Sequence, residues 1–185
     1  RYSHHDLINQ IFKNNITMTT ISRKIEISAS KADVWNAIAN FGDICHASPS
    51  VLKSHVTSDQ KEGVGATRHC DFAMMGASAE EKVLQWNEGE SLTIGVYEFK
   101  KLPGIKTMEA HFKVTEIGNN KTLLTATLEY AMKHPLFDLM NIMMMKGMNT
   151  KNWNTVLAGH KKYVETGEIV TEETVLELDK VSVAN

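Results

Sequence analysis

The stretch that decides the fold is residues 25–43, which read IEISASKADVWNAIANFGD. Ile25 and Ile27 alternate with polar residues, which is typical of a strand with one buried face. The apolar residues that follow recur at the helical period instead: Val34, Trp35, Ile38 and Phe41. Ser30 stands where the period changes, and its hydroxyl can cap a helix by accepting the amide of Asp33. The sequence therefore predicts a strand that passes directly into a capped helix.

Residues 51–132 consist of short alternating runs separated by turn signals, which predicts six further strands joined as hairpins. The turn signals lie at residues 59–63, 75–76, 87–90, 103–104 and 118–120. In the clearest strands, Phe112 and Leu128 belong to the apolar face and alternate with polar residues. An antiparallel sheet with one apolar face needs a cover on that face. We expect the sheet to curl around the one long helical segment.

That segment is residues 135–166, with Pro135 suited to a first helical turn and Gly167 to the position just past the end. Its C-terminal half places Trp153, Val156, Leu157, His160 and Val164 on one face. Its N-terminal half carries Leu136, Met140, Met143, Met144 and Met148. Methionine fills irregular cores and also lines adaptable binding surfaces, so these side chains predict either core packing or a deformable pocket wall.

Several short motifs recur in a fixed order along the chain: Val34-Trp35, Ile38, Phe41-Gly42, Pro49, GATR at 65–68, EKVL at 81–84, Tyr97 and LPG at 102–104. Their order resembles the SRPBCC (START/Bet v 1-like) superfamily, and within it the polyketide cyclase/dehydrase-like group. The resemblance spans roughly residues 20–166. It implies an α+β helix-grip fold, in which a seven-stranded curved antiparallel sheet wraps around a long C-terminal helix. Two short helices, near 31–40 and 42–48, follow the first strand.

Length and composition predict one domain with loose ends, because 185 residues suffice for one core. We expect an extension over residues 1–18, the ligand-binding domain over 19–166, and an acidic tail over 167–185 that is either mobile or an edge strand. The formal charge of −2 without a dense basic patch argues against nucleic acid as a partner. Two cysteines and no apolar run near 20 residues suggest a cytoplasmic protein without a membrane span. We expect a monomer or a weak dimer.

Arg68 is the first candidate for chemistry, because it shares a strand face with Cys70 and Phe72. A guanidinium that faces inward keeps its charge and requires a carboxylate, an anion or a ligand oxygen. Glu81 lies one hairpin away and is the expected partner, with Glu80 as the alternative if the register shifts by one. The pair either fixes the sheet or takes part in a reaction.

The family resemblance implies a role for Tyr97 as well, since Arg, Glu and Tyr at these strand positions polarise an oxygen and shuttle a proton in relatives that cyclise or rearrange small carbonyl compounds. The candidate catalytic residues are thus Arg68, Glu81 and Tyr97. The expected ligand-binding residues are Trp35, Cys70, Phe72, Phe99, Met108, Phe112, Leu128, Met144, Met148, Trp153 and His160. The cysteines and histidines lack metal-ligand spacing, so no metal and no other cofactor is expected.

Three functions remain open at this stage. The first is binding of a small hydrophobic or amphipathic molecule in a cavity between the sheet and the C-terminal helix. The second is a cyclase, dehydratase or rearrangement enzyme that uses no metal and no nucleotide. The third is a protein-interaction module similar to chaperone-activating members of the superfamily, which predicts an exposed apolar patch.

Overall fold

The computed structural model describes residues 18–74, 76–102 and 104–184. The elements in chain order are β1 (Met18–Ile27), α1 (Lys31–Ala39), a 3₁₀ helix (Phe41–His46), β2 (Val51–Val56), β3 (Thr67–Phe72), β4 (Ser78–Asn87), β5 (Ser91–Lys100), β6 (Ile105–Gly118), β7 (Lys121–Met132), α2 (Pro135–Met140), a π-helix (Asn141–Met145), α3 (Lys146–Thr166), a second 3₁₀ helix (Leu178–Lys180) and β8 (Ser182–Val183). The predicted extension, apart from Met18, lies outside the described residues.

The strand-to-helix boundary forms as the sequence predicts. The amide of Asp33 donates to the Ser30 hydroxyl at 3.1 Å, and that hydroxyl donates to a carboxylate oxygen of Asp33 at 2.6 Å. The reciprocal bonds satisfy an amide that the first helical turn leaves unpaired. Helix α1 buries Val34, Trp35 and Ile38, which fixes its position against the sheet.

The sheet is antiparallel and has the order β2-β3-β4-β5-β6-β7-β1-β8. The prediction of seven strands was short by one. The eighth strand comes from the acidic C-terminal segment, where Val183 pairs with Arg23 at the edge left free by β1. Val170 in the same segment is buried and its amide donates to the carbonyl of His46 at 2.9 Å. The edge-strand alternative for this tail is therefore the one observed.

The C-terminal half of the long helix lies inside the curved sheet, as expected. Trp153 is buried and its indole N–H donates to the carbonyl of Ala126 on β7 at 2.9 Å. The rings of Trp153 and Phe112 lie 5.6 Å apart. Gly167 ends the helix in the left-handed conformation, with φ 72°. This half of the helix and the concave face of the sheet form one apolar core.

The N-terminal half of the helix is exposed, so the prediction of core packing for its methionines was wrong for the described side chains, while the pocket-wall alternative stays a prediction. Met140, Met143, Met144 and Met148 are all exposed, and the Leu136 side chain lies outside the described part. A π-helix, Asn141–Met145, interrupts this half of the helix with a wider i→i+5 turn. Asn141 occupies the buried position in that turn.

Two hydrogen bonds hold Asn141 in place. The hydroxyl of Tyr130 donates to its side-chain oxygen at 2.6 Å, and its amide nitrogen donates to the hydroxyl of Thr19 at 2.8 Å. Because a buried polar side chain is stable only when it is hydrogen-bonded, these contacts fix which side of the π-helix faces the sheet. Among the described residues, no helix is long and apolar enough to cross a membrane.

Candidate functional site

The predicted ion pair forms inside the sheet. Arg68 on β3 lies directly opposite Glu81 on β4, and the two residues are only 4% and 8% exposed. The Nε of Arg68 donates to Oε2 of Glu81 at 2.8 Å, and Nη2 donates to the same oxygen at 2.5 Å. Nη1 donates to the carbonyl of Phe41 at 2.7 Å, while the Phe41 ring centre lies 4.2 Å from the guanidinium carbon. Cation–π contact and hydrogen bonds together hold the charge in an apolar interior.

Hydrogen-bonding capacity remains on both members of the pair. Both described bonds to Glu81 end on Oε2, so Oε1 accepts no hydrogen bond from the residues that the structure describes. The guanidinium has five N–H groups, of which these contacts use three. A polar group of a bound molecule could therefore meet an acceptor and donors at one place.

Glu80, the alternative partner, faces the other way. It lies opposite His69, whose Nδ1 is 2.6 Å from its Oε1, and Asp71 contacts the other ring nitrogen of His69 at 3.3 Å. These carboxylates raise the pKa of His69, with the hydrogen bond to Glu80 as the largest cause and partial burial opposing it. No group of three or more histidine, cysteine or carboxylate side chains in the described ranges is placed to hold a metal ion.

His160 adds a second buried polar group on α3. It is 1% exposed, and its Nδ1–H donates to the carbonyl of Val156 at 2.8 Å. Burial lowers the pKa of His160 to about 4; the Val156 carbonyl opposes this effect and the charge of Arg68 adds to it. The ring is therefore neutral at pH 7, and its unprotonated Nε2 has no hydrogen-bond partner among the described residues. Its ring centre lies 6.1 Å from that of Phe112.

Cys70 lies beside this polar set, on the inward face of β3. Its pKa is raised to about 12, first by burial and then by the charge of Glu81. The thiol is therefore protonated at neutral pH and is a poor nucleophile. Its role is that of a small buried side chain. Phe112, Leu128 and Trp153, which the sequence predicts as ligand contacts, are buried in the same core.

Tyr97 does not join Arg68 and Glu81, so the predicted grouping of the three was wrong. Tyr97 lies opposite Glu80, whereas Val96 lies opposite Glu81, which places Tyr97 on the other face of the sheet. It is 36% exposed, and its pKa is raised by partial burial and by the charge of Glu80. The left-handed Glu98, with φ 51°, breaks the strand alternation after Tyr97, so that Phe99 packs against the core.

An open groove of about 590 Å³ lies where β5 and β6 separate, beyond the last pair, Val96 and Met108. Three residues singled out in the sequence line it: Tyr97, Phe99 and Met108. Its other walls include Lys82, Lys106 and Lys133. A second groove, of about 420 Å³, lies between β1 and the C-terminal segment. Neither groove is lined by the Arg68–Glu81 pair or by His160.

The remaining predicted ligand contacts divide between the two ends of the molecule. Trp35 is buried, donates from its indole to Glu88 at 2.9 Å and packs edge-on against Trp86 at 5.2 Å. It therefore anchors α1 to the β4–β5 turn. Phe72 is half-buried at the end of β3, and Met144 and Met148 are exposed on the helix.

Sequence reasoning missed the site roles of two residues. Phe41 covers the guanidinium of Arg68 with its ring and carbonyl, although its spacing only indicated a helix face. Asn141 is a lone amide within an apolar stretch, and that contrast is the signal that could have marked it as a buried polar contact. The role of Phe41 has no such signal, because it depends on which side chain of the sheet lies against the ring.

The fold is that of a helix-grip protein, in which a curved antiparallel sheet encloses a long C-terminal helix. A family model described as polyketide cyclase/dehydrase and lipid transport matches residues 18–165, and the chain belongs to this family within the SRPBCC superfamily. A comparison with curated proteins gave no match.

Solved structures share the fold at low sequence identity. Truncated norcoclaurine synthase from Thalictrum flavum is 16% identical, with a TM-score of 0.65 over 82% of this chain and 96% of that one. A START superfamily protein from Mycobacterium smegmatis is 16% identical, with a TM-score of 0.62. The match covers 78% of this chain and 98% of that protein. Ginseng major latex-like protein 151 from Panax ginseng is 15% identical, with a TM-score of 0.60. The match covers 83% of this chain and 99% of that protein.

Proposed function

We propose that this protein binds a small amphipathic molecule between the sheet and α3, with the polar group of that molecule at the Arg68–Glu81 pair and His160. One observation carries the proposal: Nε2 of His160 is buried and lacks a hydrogen-bond partner among the described residues. Oε1 of Glu81 adds a second acceptor, because both described bonds to Glu81 end on Oε2. An unsatisfied buried polar atom costs about 1–3 kcal/mol, which a bound donor would recover.

The chemistry of these atoms restricts the class of ligand. Both open atoms are acceptors at neutral pH, because the low pKa of His160 keeps Nε2 unprotonated. The charge of Arg68 is balanced by Glu81, so the site offers no net positive charge to an anion. A neutral compound with a hydroxyl group and an apolar body fits best, as in a hydroxylated polyketide, a sterol or a reduced quinone. The family's description, which includes lipid transport, supports this class.

Native mass spectrometry of the protein purified from its own source tests the proposal. We expect a co-purifying neutral compound, and we expect His160→Phe and Glu81→Gln each to reduce its occupancy about tenfold, by removing one acceptor. Tyr97→Phe is the matched control, since Tyr97 lies on the other face. Equal occupancy in all four proteins would place the ligand elsewhere, and the absence of any retained or added compound would contradict binding.

A second candidate, enzymatic activity, is favoured by the open oxygen of Glu81. A carboxylate with one oxygen held by Arg68 and the other free can move a proton at a bound substrate, while unused N–H groups of Arg68 stabilise a developing negative oxygen. Glu81→Gln would then reduce turnover about 10²–10⁴-fold, a larger effect than its reduction of binding. Tyr97→Phe would leave turnover unchanged. A carrier would show altered affinity only.

A further inference from the structure

The N-terminal half of the long helix forms an exposed apolar ridge. We define the Met ridge by its exposed side chains: Leu139, Met140, Ile142, Met143, Met144 and Met148. Ile142 and Met143 are 72% and 78% exposed. Ile142, Met143 and Met144 are consecutive, so their side chains project in several directions around the helix. Exposed apolar surface of this kind marks an interaction site.

Lysines collect at the same end of the molecule. Six of them are exposed and take part in no ion pair among the described residues: Lys100, Lys101, Lys106, Lys133, Lys146 and Lys151. Within residues 98–106 and 133–151 the acidic residues are Glu98 and Asp138. This end is therefore basic in a chain whose net charge is −2.

Contacts between the β5–β6 turn and the start of the helix bring ridge and lysines together. The amide of Lys133 donates to the carbonyl of Gly104 at 2.7 Å. Gly104 lies so close to the Phe137 ring that a Cβ atom would clash with it. The ridge begins two residues after Phe137, and the groove that contains Lys106 and Lys133 opens at the same end.

We propose that this end of the protein docks on an anionic lipid surface, with the Met ridge inserted at the boundary of head groups and acyl chains and the lysines against the head groups. Amphipathic helices with basic flanks bind such surfaces, and each lysine near the surface adds affinity. A groove on a protein partner contacts one stripe of a helix, whereas a fluid lipid surface can surround side chains that project in several directions. Nucleic acid is not the expected partner, because its charged phosphate backbone provides no apolar surface to contact the Met ridge.

Co-sedimentation with lipid vesicles tests the docking, independently of any ligand in the core. The full chain is mixed with vesicles of phosphatidylcholine alone or with about 30% phosphatidylserine, a composition that supplies the anionic surface potential. We expect binding to the anionic vesicles that weakens with added salt. The double variant M143D/M144D should bind at least about tenfold more weakly, because it places charges at the apolar boundary. Val175→Asp, at an exposed apolar residue in the C-terminal segment, is the matched control.

A second variant keeps the test decisive if the aspartates disturb the helix. Lys133→Gln combined with Lys146→Gln and Lys151→Gln changes only exposed side chains and should also reduce anionic binding about tenfold or more. Three results would overturn the proposal: no binding to anionic vesicles, equal binding by all variants, or a dimer in sedimentation velocity that M143D/M144D dissociates while vesicles are not bound. The last result would assign the ridge to a second copy.

Discussion

The two halves of the long C-terminal helix differ in burial although both carry apolar side chains. In the C-terminal half, Trp153 and His160 pack against Phe112 on the concave face of the sheet. In the N-terminal half, Ile142 and Met143 project away from the protein. The difference teaches that helical periodicity identifies a face, whereas burial depends on what the sheet places opposite that face. The change between the two halves falls between the exposed Met148 and the buried Trp153.

The largest expected loss of stability comes from a substitution in the buried half of the helix. Trp153→Ala should lower the free energy of unfolding by about 3–5 kcal/mol, because it removes a packed ring and the hydrogen bond to Ala126. Urea unfolding measures this change. Met148→Ala in the exposed half is the control and should cost less than about 1 kcal/mol. Similar losses in the two variants would mean that the two halves do not differ in packing.

The pH dependence of stability should report the buried His160. Its native pKa of about 4 lies below the ordinary value of 6.5, so the unfolded chain binds a proton that the native state excludes. The stability that His160 confers is fully present above pH 6.5 and decreases as the pH falls toward 4, by about 3 kcal/mol in total. Unfolding of the wild type and of His160→Phe at several pH values between 7 and 4 isolates this contribution. If the free energies of unfolding of the two proteins changed with pH in parallel, the assigned burial of His160 would be contradicted.

Asn141 at the π-helix should show an intermediate effect. Asn141→Leu leaves the hydroxyl of Tyr130 without its acceptor and should cost about 1–3 kcal/mol. Adding Tyr130→Phe removes that unpaired hydroxyl, so the double variant should recover part of the loss. Thermal and urea unfolding of the four proteins completes the cycle. An additive result would show that the two side chains do not interact.

The smallest change in stability is expected for a substitution in the exposed half of the helix. Ile142→Gln should change the free energy of unfolding by less than about 0.5 kcal/mol, because the side chain is already in water. Thermal unfolding of this variant beside Trp153→Ala gives the sharpest comparison of the two halves. A loss above about 2 kcal/mol would indicate that the ridge is packed in solution.

Local patterns in the sequence predicted most of the fold because they depend on neighbours along the chain. The change of period at Ser30, the hairpin turns and the alternation in β6 and β7 each specify an element without tertiary contacts. The cross-strand partner of Arg68 was also predictable, since a hairpin brings nearby residues opposite one another. The same reasoning left β8 as one of two alternatives for the tail, because this strand adds to an edge that is distant in sequence.

The site was predicted in part, and each error has a local cause. Tyr97 was assigned to the face of Glu81, but the register places it opposite Glu80. Phe99 packs against the core because Glu98 adopts a left-handed conformation, and a non-glycine residue with positive φ leaves no clear signal in a sequence. The methionines are exposed because the face of the helix that turns to the sheet carries Asn141, which is bonded to Tyr130 and Thr19.

The sequence by itself determined the helix-grip architecture, the family and the inward Arg68–Glu81 pair, because strand period, capping and hairpin proximity act over short stretches of chain. Only the tertiary structure decided which faces are buried, which polar atoms lack a partner and where six lysines gather around an apolar ridge. Those properties depend on contacts between segments far apart in sequence, such as Asn141 with Thr19 and Lys133 with Gly104. No periodicity along the chain encodes such pairings.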